Sequence, residues 1–122
     1  MSAPTDGKFD LEERTAAFGN SVILLAKNVP LTPITRPLVS QLVRSATSVG
    51  ANYCEADDAE SRADFQHKIG ICKKEAREAK HWLRMLVTAV PESKEPARKL
   101  WQEAKELNLI FNAIVRSTEA NQ

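Results

Sequence analysis

The 122-residue chain carries 17 Lys and Arg against 16 Asp and Glu, a formal net charge of +1, with 43% hydrophobic and 27% charged residues. That is the size of one domain, with too much apolar content for a disordered chain, and no apolar run reaches the roughly 18 residues of a membrane span. The charge balance argues against a protein whose whole surface is adapted to nucleic acid, and leaves room for a local basic face.

Residues 1–9 are small and polar, with Pro4 and Gly7, and read as a disordered N-terminal tail. They lack the apolar core of a signal peptide, so a cytoplasmic location is expected. Regular spacing begins at Leu11. Leu11, Thr15, Phe18, Val22, Leu25 and Val29 alternate steps of four and three, the seam of a helix packed against near-parallel neighbours. Pro30 and Pro33 end it, since neither can donate a backbone hydrogen bond.

A second helix is expected from Arg36 or Pro37, with Leu38, Leu42, Ser45, Val49, Asn52 and Ala56 on its seam. Ser45 and Asn52 are polar residues at core-type positions. Glu55, Asp57, Asp58 and Glu60 mark an acidic connection. Ser61, with Asp64 three residues on, resembles a capping box and opens the longest helix. Its seam is Phe65, Ile69, Cys72, Ala76, Ala79, Leu83, Leu86 and Val90, and Pro91 stops it. Ser93 is the expected N-cap of a fourth helix, seamed by Ala97, Leu100, Ala104, Leu107, Phe111, Ile114 and Thr118. Residues 119–122 are expected to fray. The fold class is all-α: an antiparallel, up-down-up-down four-helix bundle over residues 10–118.

Apolar residues also lie off the seams: Ile23 and Leu24; Val39, Val43, Ala46 and Tyr53; Trp101, Leu109, Ile110 and Val115. Some widen the core stripe. The remainder predicts self-association into a homo-oligomer.

Chemistry-bearing motifs are sparse. Cys54 and Cys72 match no metal or redox spacing and read as reduced thiols. Asp64-x-x-His67 and Glu78-x-x-His81 resemble halves of a di-iron motif, but both lie on one helix with their histidines outward. No metal, cofactor or catalytic residue is therefore expected, and the chain does not read as an enzyme.

Two constellations remain. Lys73, Arg77, Lys80 and Arg84 line one face of the third helix, with Arg62 on the same line, and such a row suits phosphates. No aromatic interleaves it, so recognition of single strands is not expected. Arg44, Ser48, Asn52 and Glu55 run down one side of the second helix, with Glu75 positioned to face them. They are expected to form a buried polar network that fixes register or a subunit contact.

The run from Gln41 to Ala56 (QLVRSATSVGANYCEA) resembles a signature of the four-helix-bundle proteins related to the 23S ribosomal RNA intervening-sequence protein. Asp64-Phe65, Lys74-Glu75-Ala76-Arg77-Glu78 and Trp82-Leu83 resemble that family's helix-3 signature, and the likeness extends from about Phe9 to Val115. The resemblance implies a ring-shaped homopentamer without enzymatic activity. Some members are encoded within insertions of 23S ribosomal RNA genes. A similar fold serves the strongly basic accessory proteins of diversity-generating retroelements, which bind nucleic acid and a reverse transcriptase. Ser48, Asn52 and Glu55, and then Glu75 and Glu78, match the family's polar positions. Ala56 stands where many members have Gly, and the net charge of +1 departs from the basic accessory proteins, which bears on nucleic-acid binding rather than on the fold. RNA or DNA is thus one expected partner class. A scaffold that binds another protein, with no nucleic-acid contact, is the competing one. No membrane contact is expected.

Overall fold

The computed structural model describes residues 10–120. Four α-helices fill it: α1 (Leu11–Lys27), α2 (Thr35–Asp57), α3 (Arg62–Ala89) and α4 (Lys94–Ala120). A single 3-10 turn, Pro91–Ser93, links α3 to α4, and no strand occurs among the described residues. The expected tail at 1–9 and the last two residues of the expected frayed end lie outside the described residues, while α4 itself runs to Ala120. Among the described residues, no helix is long and apolar enough to cross a membrane.

The α1 seam packs as its spacing predicts, with Leu11, Thr15, Phe18, Val22 and Leu25 buried, and the helix ends at Lys27, so that Val29, also buried, lies past it. Thr15 satisfies its hydroxyl within the helix by donating to the Leu11 carbonyl at 2.7 Å. The α1–α2 connection is organised by two threonines rather than by its prolines alone. The Thr32 hydroxyl accepts from the Thr35 amide at 3.1 Å, and the buried Thr35 hydroxyl accepts from the Thr32 amide at 2.9 Å. This reciprocal pair satisfies donors at the helix start, so α2 begins at Thr35, just ahead of Arg36.

The α2 seam departs from a strict seven-residue repeat. Leu42, Ser45, Ala46, Val49 and Ala56 are buried, but Asn52 is only half-buried. Asn52 lies at the edge of the core beside Tyr53, whose ring is 6.3 Å from that of Phe111, while Ala56 one turn on is buried again. Phe65 likewise sits at the margin of the core, while Ile69, Leu83, Leu86, Leu107 and Phe111 lie inside it.

Ser61 caps α3 as expected, its hydroxyl accepting from the Asp64 amide at 3.0 Å. Ser93 precedes α4 but does not offer its oxygen to a first-turn amide. Its hydroxyl donates backward to the Val90 carbonyl at 2.6 Å and holds the 3-10 turn instead.

Pairings between helices fix their directions. Ascending α2 from Val49 to Glu55 descends α3 from Cys72 to Lys68. Ascending α3 from Gln66 to Lys80 descends α4 from Thr118 to Trp101. Gly19 lies under Ala46 and Thr47, and Gly50 lies over Thr15, so α1 and α2 are also antiparallel and close. The bundle is up-down-up-down.

Candidate nucleic-acid interface

Lys73, Lys80 and Arg84 of the basic row border α4, and α4 decides what each of them can do. Arg62 is exposed at the opposite end of α3 from Arg84, away from the others. Lys73 is half-buried. Its ammonium donates to Asn112 Oδ1 at 3.3 Å, and Asn108 donates to its carbonyl at 2.8 Å. That lysine therefore belongs to the α3–α4 contact. Arg77 and Arg84 are exposed.

Lys80 connects the row to the groove through Trp101, which lines it. Its ammonium lies 5.2 Å from the centre of the Trp101 ring, and Lys105 approaches the same ring at 5.7 Å. Both distances fall in the range of cation–π attraction. Next to Trp101, the partly exposed Val87, over the buried Leu83 and Ala97, forms an apolar floor, rimmed by Arg84 from α3 and by Lys94 and Arg98 from α4. No carboxylate lines this part of the surface. On the other flank of Trp101 stand Glu95, Glu103 and Glu106. Arg14 of α1 is paired with Glu103 at 2.7 Å and with Glu106 at 2.9 Å.

The expectation that no aromatic interleaves the basic row concerned α3 alone, and Trp101 reaches the row at Lys80 from α4. Spacing along α3 shows only what α3 carries. Lys94, Arg98 and Lys105 were missed for the same reason. The available signal was an indole off the α4 seam with lysines and arginines about a turn to either side of it.

The polar residues of α2 do not form one buried network. Arg44 is exposed and bridges to Glu75 at 3.2 Å, to Glu78, and to Gln41 at 2.9 Å. The Trp82 indole donates to Glu78 at 3.1 Å, completing a cluster at the α2–α3 surface. Asn52 donates to the Ser48 carbonyl at 2.9 Å, within its own helix. Glu55 is exposed and pairs with Lys68 at 2.6 Å. Arg44 and Glu75 meet as expected, whereas Ser48 with Asn52, and Glu55, form separate local contacts further along.

His67 and His81 are exposed, and among the described residues no three His, Cys, Asp or Glu side chains are placed to hold a metal. Cys54 and Cys72 are both free thiols. Cys72 is buried, donates to the Val49 carbonyl at 3.5 Å, and has its pKa pushed up to about 12 by that burial.

Residues 8–113 match the family described as 23S rRNA-intervening sequence protein. Among solved structures, the chain resembles a protein of unknown function from the S23 ribosomal protein family of Bacteroides thetaiotaomicron. The two are 30% identical with a TM-score of 0.74, over 85% of this chain and 96% of that one. No curated protein matches the chain.

Proposed function

The chain belongs to the 23S rRNA-intervening sequence protein family, and we propose that it is a non-enzymatic, ring-forming homo-oligomer, a pentamer, that binds RNA or another nucleic acid through the basic face where α3 meets α4. The observation that carries the reading is the groove rimmed by Arg84, Lys94 and Arg98, with no carboxylate in its lining. A surface of that kind attracts phosphates despite a net charge of +1. A ring repeats it once per subunit, which turns a weak contact into useful avidity. The protein works in the cytoplasm in this reading.

A polarisation titration against a short labelled RNA tests it. Affinity should fall steeply between about 50 and 200 mM salt. Arg77→Glu combined with Arg84→Glu should abolish binding while helical content stays unchanged. No binding by the wild type at low salt, or equal binding by the variant, overturns the reading.

The competing function is a scaffold that binds another protein. It would use Leu24, Leu31 and Ile34, 59%, 55% and 69% exposed around the α1–α2 connection, the same apolar surface that a ring would cover.

A further inference from the structure

The strongest unexplained feature of the basic groove is Trp101. Part of its ring packs against the core, and the rest is left open to the groove. Lys80 of α3 and Lys105 of α4 bring their ammonium groups to that ring from two helices. Arg98 lies three residues before it and Lys105 four residues after it. At 1.5 Å per residue, cations flank the ring over about 10 Å of helix axis.

Resting on the reading of this groove as a nucleic-acid interface, we propose that Trp101 is a stacking platform for an unpaired base. The groove then takes single-stranded rather than duplex nucleic acid. The chemistry is complementary on two counts. On binding, the ammonium groups of Lys80 and Lys105 swing from the ring to phosphates, and the indole face they uncover meets the face of a base, a pairing available to any base and hence tolerant of sequence. In a duplex the faces of each base are covered by its neighbours, and the ring has nothing to stack on. An acidic peptide would satisfy the cations and leave the ring unused. Arg14 contributes indirectly: by engaging Glu103 and Glu106 it offsets the negative charge on the flank of Trp101 opposite the basic rim.

The full chain is titrated with a single-stranded RNA, the same RNA in a duplex, and an abasic oligonucleotide of equal charge. Wild type should prefer the single strand over the other two. Trp101→Leu keeps apolar volume and removes the ring. It should weaken single-strand binding about 5- to 150-fold, with little effect on the abasic strand. Trp101→Tyr should restore part of the loss. Equal affinity of wild type for the single strand and the abasic strand overturns the stacking role while leaving the basic-face reading intact. That comparison needs no variant, so it stands even if Trp101→Leu unfolds. Displacement of the RNA by poly-glutamate as readily as by unlabelled RNA also overturns it, in favour of an acidic protein partner. Absence of binding to every nucleic acid overturns both proposals together.

Discussion

Arg14 on α1 holds Glu103 on α4 with two nitrogens, Nε to Oε2 at 2.7 Å and Nη2 to Oε1 at 2.9 Å, and the same Nη2 reaches Glu106 at 2.9 Å. This is a forked, charge-assisted contact that ties the first helix to the last. The two side chains of the main pair are 25% and 29% exposed, so solvent screens it only partly. Arg14→Met should cost about 1 kcal/mol of stability, measured by denaturant unfolding. An unchanged midpoint would show that the pair adds nothing beyond packing.

The same cluster gives a pH dependence. Hydrogen bonds from Gln102 and then from Arg14 hold the Glu106 carboxyl below its ordinary pKa. A carboxyl with a lower pKa in the folded state than in the unfolded one adds stability at neutral pH. That contribution is lost as pH falls through the folded value. The stability gap between wild type and Glu106→Gln should therefore be open at neutrality and close below the ordinary Glu value of about 4.3. A gap independent of pH would remove the electrostatic explanation.

Leu83 and Phe111 are 1% and 0% exposed in the centre of the bundle. Either residue replaced by alanine should lose about 2–5 kcal/mol, through lost transfer free energy and the cavity left behind. A loss below about 1 kcal/mol at both sites would mean that the core is not packed around them.

The thiols should separate cleanly. Cys54 is exposed and Cys72 is buried. Thiolate is the reactive form, and burial pushes the Cys72 pKa up to about 12. At mildly alkaline pH a maleimide should label one thiol in the native protein and both in denaturant. Rapid native labelling of both would mean that the α2–α3 contact opens readily.

Helix existence and the innermost residues were legible in the sequence, because burial within one helix leaves a periodic trace. The five seam positions within α1, from Leu11 to Leu25, show this, and Val29 is buried just beyond its end. What failed was information that crosses helices. Asn52 and Tyr53 share the edge of the core, both half-buried, which periodicity along α2 alone does not distinguish. Ser93 has the composition of an N-cap, but the preceding 3-10 turn redirects its hydroxyl to Val90. Trp101 meets Lys80 only through the pairing of α3 with α4. The candidate site was therefore half readable: its α3 cations had a visible spacing, and its α4 side had none until the helices were paired.

Two glycines on helices offer opposed tests of packing. A Cβ at Gly70 meets nothing within 4 Å, so Gly70→Ala should stabilise by up to about 1 kcal/mol through helix propensity. A Cβ at Gly50 would stand 3.3 Å from Thr15 Oγ1, which is fixed by its bond to the Leu11 carbonyl. Gly50→Ala should gain less or lose stability, because the neighbour cannot easily yield. Equal gains at both positions would show that α1 and α2 are not in close contact there.

Assembly is the test that bears most on function. Leu24, Leu31 and Ile34 are 59%, 55% and 69% exposed near the α1–α2 connection, where an isolated bundle gains nothing from apolar side chains. The ring proposal gives them a role as a contact between copies. Sedimentation at low micromolar concentration should then show a species five times the 13.6 kDa chain. Leu31→Asp with Ile34→Asp should reduce it to the monomer, because burying a carboxylate in an apolar contact is costly. Both substituted positions are exposed, so helical content and thermal unfolding of the monomer should be preserved. If the double variant stays assembled, the contact lies elsewhere, with Leu109 on α4, 57% exposed, the next position to replace. A wild-type monomer removes the ring altogether, and with it the avidity on which weak phosphate contacts depend.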